Sequence, residues 1–165
     1  MIKVYPISFN KVKEFDNNNI EIINEKDSRY FEFSFDNIPI GFFRLRHKNE
    51  ITNHGNNFIY ENQRGKGWGN KILLVSLNVI KTVFPNTNII YVQVHMDNKH
   101  NIYIRDKQFG IENRYFETEE PNRFGFKESS VEVDETFKEV LYYDTIDNLW
   151  NRNKEDIDKL VDIEI

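Results

Sequence analysis

The chain has 165 residues, 39% of them apolar and 30% charged, and its 22 basic and 27 acidic side chains leave a net charge of −5. A chain of that length buries roughly 70% of the surface its unfolded form exposes, so one core can form without metals or cross-links. Cysteine is absent, which removes disulfides, a thiolate zinc site and a cysteine nucleophile together. The acidic balance is the wrong sign for a chain whose main partner is a phosphate backbone. No window approaches the ~18 apolar residues of a membrane span, and Met1 to Pro6 is too short and too polar for a signal peptide. We therefore expect a single domain over residues 1–165, cytoplasmic, with no nucleic-acid or membrane partner and no metal. Alanine is also missing while Asn is abundant, a pattern of A/T-rich codon usage, so runs such as Asn17-Asn18-Asn19 are not read as function.

Strand signals dominate the first third. Ile2 to Tyr5 partly alternates, and Tyr30 to Phe35 alternates aromatic with polar residues at period two after its first residue, which predicts half-buried strands. Asp36-Asn37 are turn formers, and Ile38 to Arg46 resumes the pattern, so residues 30–46 read as an antiparallel hairpin. Phe9 to Phe15 allows at most a short helix. Phe58-Ile59-Tyr60 reads as a short strand, followed by Gln63-Arg64-Gly65-Lys66-Gly67-Trp68-Gly69, which cannot continue it. From Asn70, the residues Ile72, Val75, Val79, Ile80 and Val83 sit at helical spacing and predict a helix of about 15 residues ending near Pro85. Ile89 to Val94 is the most β-rich run and reads as a central strand, with a second helix over 98–108. Strand, turn, helix and strand make a βαβ crossover. Ile111–Thr118 and Lys138–Asp144 read as an antiparallel pair around a polar segment with Pro121 and Gly125, and a helical tail follows over about 146–162, carrying Leu149, Trp150, Ile157, Leu160 and Val161.

Glycines at 65, 67 and 69, between a strand and a helix, expose a row of backbone N–H groups with no Cβ in the way. Such a turn can cradle a pyrophosphate, helped by the positive helix end behind it and by Arg64 and Lys66; it can equally be a turn without a ligand. Spacing excludes a P-loop, because Gly69 is followed by Asn70 and Lys71, and excludes the dinucleotide fingerprint, whose third glycine would fall one residue later.

Arg64-Gly65-Lys66-Gly67-Trp68-Gly69 resembles the Arg/Gln-x-x-Gly-x-Gly/Ala signature of the GNAT superfamily of acyl-CoA N-acetyltransferases, and the helix from Asn70 follows as expected. Asp97-Asn98-Lys99-His100-Asn101 … Ile104-Arg105-Asp106-Lys107, about 34 residues on, resembles the second motif of that family. The chain departs from the pattern where Gly-Phe is inverted to Phe109-Gly110, where Asn101 replaces a small residue, and where Arg105 stands at the position of a customary Tyr. The resemblance implies a mixed α/β GNAT fold: a mostly antiparallel sheet, a splayed parallel strand pair and flanking helices. It implies acetyl transfer from acetyl-CoA, as cosubstrate, to a primary amine of a small molecule or peptide, by a monomer or homodimer; the alternative it leaves open is an acyl-CoA-binding module without turnover. It places pantetheine along Phe58, Ile59 and Tyr60 and beside Asn98, and pyrophosphate on Arg64, Gly65, Lys66, Gly67, Trp68, Gly69 and Asn70. Asn98 could instead cap the helix it precedes, and Trp68 is expected to pack beneath the helix.

The reaction needs a base for the amine, a donor for the thioester oxygen and an acid for the thiolate. His54, ten residues before Arg64 and near the start of the splayed strand, is the first base candidate, its ordinary pKa of ~6.5 suiting the task; a solvated loop histidine is the competing reading. Glu61 is the second base candidate, and a surface carboxylate is its competitor. His47 reads as a strand-end residue, and His95 either points into the cleft or is held elsewhere. For the acid, Tyr103 lies two residues before the customary position, about 200° round a helix, with Tyr60 as a further possibility. The first helical region and residues 118–130 are expected to set the acceptor.

Overall fold

The computed structural model describes residues 1–15, 27–116, 139–160 and 162–165; Asn17–Asn19, the 118–130 loop and Val161 lie outside them. The strands are β1 (Ile2–Ile7), β2 (Ser28–Phe35), β3 (Ile38–Lys48), β4 (Ile51–Ile59), β5 (Ile89–His95), β6 (Arg114–Phe116), β7 (Glu139–Thr145) and β8 (Ile163–Glu164). The helices are α1 (Phe9–Val12), α2 (Ile72–Val83), α3 (Lys99–Phe109), α4 (Ile146–Arg152) and α5 (Lys154–Asp158). One mixed sheet orders the described strands β6-β7-β5-β4-β3-β2-β1-β8.

The β2–β3 hairpin forms where the sequence places it, with Asp36 and Asn37 at φ +49° and +67°, the left-handed pair that a two-residue hairpin turn needs. The same geometry recurs at Asn49 and Glu50, with φ +50° and +65°, and starts β4 at Ile51. The expected strand at 58–60 is therefore only the end of a nine-residue strand. Its polar first half, Thr52-Asn53-His54, hid it: all three side chains are buried, and no apolar alternation marks them. The half-buried expectation for β2 also fails, since Glu32 and Ser34 are buried alongside Phe31 and Phe33. The sheet is covered on both faces, with Val12, Tyr30 and Phe42 forming a small cluster on one side and the main core against α2 on the other.

In α2, Leu73, Leu74, Ser76 and Leu77 are buried together with the residues at helical spacing, because α2 is enclosed between the sheet and the C-terminal helices. On that second side Lys81 Nζ lies 3.6 Å from the Trp150 ring centroid. The expected crossover is present: β4 and β5 are parallel and α2 joins them. A second parallel pair was not foreseen. Ile2 and Lys3 of β1 face Ile163 and Glu164 of β8, and Ile2 N–H donates to the Asp162 carbonyl at 2.8 Å, so the last residues close the sheet edge rather than extending the helical tail. That corrects the expectation of a sheet antiparallel apart from one pair.

Candidate active site

The site begins at a bulge. On β3, Phe42 faces Phe58 and Arg44 faces Gly55, so Phe43 stands opposite two residues of β4, Asn56 and Asn57, and Asn56 sits at φ +43°. An extra residue bends its strand and increases its twist, and Asn tolerates the left-handed region better than most side chains. Accordingly β4 keeps its rungs to β5 only from Ile51/Ile89 to Asn53/Tyr91. From His54 onward the two strands diverge into a wedge, and Phe58 and Ile59 pair with β3 alone. The splayed parallel pair expected of the sequence is present, with its rungs confined to Ile51–Asn53 and the cleft opening beyond them. Arg44 holds the bulge, with Nη1 donating to Asn56 Oδ1 at 2.7 Å and Nη2 to Asn53 Oδ1 at 2.9 Å. Asn53 Nδ2 in turn donates to the Tyr91 carbonyl at 3.1 Å, at the last rung. These asparagines build the wedge, whatever codon bias supplied them. Gly41 lets β3 approach, since a Cβ there would stand 2.1 Å from the Phe58 carbonyl oxygen.

Beyond β4 the chain makes a 3-10 turn over Glu61–Gln63, passes Gly65 and Gly67 at φ +77° and +84°, and makes another over Trp68–Asn70 before α2. Added Cβ atoms at Gly65, Gly67 or Gly69 would meet nothing within 4 Å, so this backbone faces open space. Trp68 anchors it from below, buried against Phe33 and Phe35 at ring separations of 5.9 and 5.5 Å, as expected of a core residue. Arg64 folds back on its own strand: Nε donates to the Ile59 carbonyl at 3.0 Å and the guanidinium lies 5.1 Å from the Phe58 ring centroid. Lys66 Nζ donates to Gln63 Oε1 at 3.3 Å, and Gln108 of α3 donates from Nε2 to the Asn70 carbonyl at 3.0 Å.

His54 is neither at the start of the strand nor on a solvated loop. It lies mid-strand, fully buried, its ring 5.6 Å from that of Phe43, and neither ring nitrogen has a hydrogen-bond partner among the described residues. Burial first, then the charges of Arg105 and Arg44, hold its pKa well below the usual histidine value, so the imidazole is neutral. A group closed to solvent in this way is not arranged to draw a proton from an incoming ammonium. Glu61 is exposed in the 3-10 turn. Tyr103 is 58% exposed, with Lys107 Nζ 4.3 Å from its ring centroid, on the outer side of α3. Tyr60 donates its hydroxyl to Glu32, which also accepts from Tyr5 and, at 3.1 Å, from Lys11. Burial alone would raise the Glu32 pKa, but the two tyrosine bonds and Lys11 outweigh it and the carboxyl is held low. Burial and the adjacent Glu32 push Tyr60 above the ordinary tyrosine value, so Tyr60 keeps its proton rather than giving it up.

The remaining candidates are held locally. His47 stacks on Phe84 at 4.7 Å with Nδ1 2.8 Å from Thr52 Oγ1, a strand-end residue as expected. His95 ends β5 with Nδ1 3.6 Å from Asp97. Asn98 caps α3, its Oδ1 accepting the Asn101 N–H at 3.1 Å. Gly110, at φ +87°, stops α3 one residue after the buried Phe109, which accounts for the inverted Phe-Gly order: the helix end needs glycine and the core needs the ring. Sequence reasoning passed over Arg44 and Glu32, both nearly fully buried; charged residues in alternating strands signal an exposed face unless both faces are covered. Among the described residues no group of three or more His, Asp or Glu could hold a metal ion. A cavity of about 410 Å³ lined by Pro6, Ile7, Phe9, Arg29 and Tyr30, among others, includes no residue of the wedge or the glycine turn.

No protein-family model matches the sequence, and no curated protein matches it. Solved structures do. A mutant form of the spermidine/spermine N-acetyltransferase SpeG from Vibrio cholerae superposes with a TM-score of 0.63 at 15% identity, over 92% of this chain and 99% of that one. The fold is the GNAT fold. The dodecameric spermidine N-acetyltransferase from the same organism gives a TM-score of 0.62 at 15% identity, over 92% and 97% of the two chains. Its complex with CoA and spermine gives 0.55 at 18% identity, over 88% and 79%. The wedge and the glycine turn thus stand on a GNAT architecture.

Proposed function

We propose that the chain is an N-acetyltransferase that moves an acetyl group from acetyl-CoA to a primary amine of a small, polycationic molecule. The observation that carries the reading is the bulge-driven wedge between β4 and β5 leading directly into a glycine turn whose backbone faces open space at the start of α2. A linear cosubstrate with a pyrophosphate at one end and a thioester at the other matches that layout. Its pantetheine amides would pair with the main chain freed from β5 at Phe58, Ile59 and Tyr60, near Asn98. Its pyrophosphate would rest on Gly65 to Asn70 with the positive end of α2 behind, and Arg64 and Lys66 at the rim. Both contacts are made largely by backbone, so they survive wide divergence of side chains. The net charge of −5 and the neighbour complexed with CoA and spermine support a polyamine-like acceptor. Oligomeric state is part of the proposal: a monomer or homodimer is the simplest reading, a dodecameric neighbour is the alternative, and light scattering on the purified chain separates them.

The test is thiol release from acetyl-CoA with spermidine, spermine, an aminoglycoside and a peptide N-terminus, beside calorimetry of acetyl-CoA binding. Turnover with at least one amine is expected, fastest with a polyamine. Binding without turnover across the panel would leave a non-catalytic acyl-CoA module, and absence of binding would remove the reading altogether.

A further inference from the structure

The cavity of about 410 Å³ lies where β1 ends, β2 begins and α2 stops, and neither the wedge nor the glycine turn uses it. Its walls are mostly apolar: Pro6 and Ile7 from β1, Phe9 from α1, Tyr30 and Phe31 from β2, and Val83 from the last turn of α2. One cation stands in them. Arg29 lines the cavity from β2, and its guanidinium lies 5.3 Å from the ring centroid of Phe84, the residue after Val83, so the charge is held at the α2 end. No carboxylate pairs with Arg29 among the described residues. Ser28, the neighbouring wall residue, has a buried Oγ that likewise finds no hydrogen-bond partner among them. An apolar hollow with a few placed polar groups is the composition of a small-molecule site.

We propose that this cavity binds a small carboxylic acid with an aromatic body, its carboxylate on the Arg29 guanidinium and its ring among the aromatic walls. The inference goes beyond the acetyl-CoA reading and does not depend on it. The sign and valence of the ligand follow from the lining. An unpaired guanidinium matches one carboxylate through two parallel N–H···O bonds, whereas a phosphate dianion would set a second charge against apolar side chains. An ammonium would meet the like charge of Arg29. The Ser28 Oγ turns about a single side-chain torsion, which lets it give the carboxylate a further donor. A cavity near the low end of the range for small-molecule sites takes a body of about ten to fifteen non-hydrogen atoms. Phe9, Tyr30 and Phe31 favour a ring over an alkyl chain, because offset and edge-on ring contacts add to the area buried. The ligand is also felt outside the cavity. His47 stacks on the same Phe84 ring at 4.7 Å. Burial holds its pKa low, a bond with Asn86 opposes that in part, and the Arg29 charge adds to the lowering. A carboxylate on Arg29 offsets that charge, so it raises the His47 pKa towards the ordinary ~6.5.

The test is calorimetry of 3-phenylpropionate binding to the full chain, beside its neutral amide, 3-phenylpropanamide, and the cationic 3-phenylpropylamine. The acid is expected to bind at least about tenfold tighter than the amide, with the amine weakest. Arg29→Gln should bring the acid down to the level of the amide. Arg29 is exposed, so this variant keeps the fold, and an unchanged urea midpoint verifies it. In an NMR titration of the imidazoles, saturating acid should raise the His47 pKa in the wild-type chain and leave it unmoved in Arg29→Gln. Saturating acetyl-CoA should leave the affinity for the acid unchanged, because the cavity and the wedge share no residue. Acid and amide binding alike, tight acid binding kept in Arg29→Gln, or displacement of the acid by acetyl-CoA each overturn the inference. So does failure of the acid to bind at millimolar concentration, and tighter binding of octanoate than of 3-phenylpropionate overturns the aromatic body. Every one of these outcomes leaves the acetyl-CoA reading in place.

Discussion

The glycine turn at 65–70 and the buried side chains of His54 and Arg105 are polar in opposite ways. The turn offers main-chain N–H groups in open space, kept accessible by residues that have no side chain. At His54 and Arg105 the side chains are sealed from solvent, and both ring nitrogens and two guanidinium nitrogens have no hydrogen-bond partner among the described residues. The first kind of site is cheap to build, because exposed backbone is solvated until a ligand arrives. The second is costly, because unpaired polar groups are held in the core. The two therefore respond differently to mutation: damage to the turn should be read in binding alone, and damage near His54 and Arg105 in stability as well.

The sharpest test of that contrast is Gly67→Asp. An added Cβ meets nothing there, and the positive φ costs about 1 kcal/mol, so urea unfolding should show little change. A carboxylate facing the pyrophosphate, however, should weaken acetyl-CoA by at least about 100-fold. Unchanged affinity in that variant would break the assignment of the turn. Next in size is Asn56→Ala at the bulge, which should lower unfolding free energy by about 2–4 kcal/mol, through the strained φ and the lost bond from Arg44, and weaken acetyl-CoA too. Asn56→Gly should recover the strain part only. Full stability and affinity in Asn56→Ala would show that the bulge does not hold the wedge.

The smallest effect concerns His54. Its folded pKa lies well below the ~6.5 of the unfolded chain, so below pH 6.5 the unfolded state binds a proton the folded state does not. Stability is complete above that pH and falls as pH drops, at up to ~1.4 kcal/mol per unit. His47, also held low by burial first and then by Arg29, adds in the same direction. His54→Gln should remove most of the slope in urea unfolding between pH 6.5 and 5. A base role for His54 would instead show as loss of the acid limb of the kcat/KM profile in that variant; an unaltered limb is expected.

By itself the sequence determined the elements whose signals are local. The Asp36-Asn37 hairpin, the α2 crossover, the β-rich fifth strand, the N-cap at Asn98 and the glycine turn all follow from turn residues, periodicity and capping, each decided by a few neighbouring positions. Only the tertiary structure decided which polar residues go inside. Nothing local marks Thr52, Asn53 and His54 as part of a strand buried on both faces, yet Thr52 and Asn53 lie in the part of β4 that pairs with β5, and His54 is buried just beyond it. Glu32, Arg44 and Arg105 carry charges that a one-dimensional reading assigns to the surface. Their burial depends on partners 9 to 28 positions away, such as Asn53 for Arg44 and Tyr60 for Glu32, or on a cleft that exists only once β4 bends from β5. The closing strand β8 has the same cause: two residues pair with β1 across the length of the chain, an arrangement that no local propensity encodes.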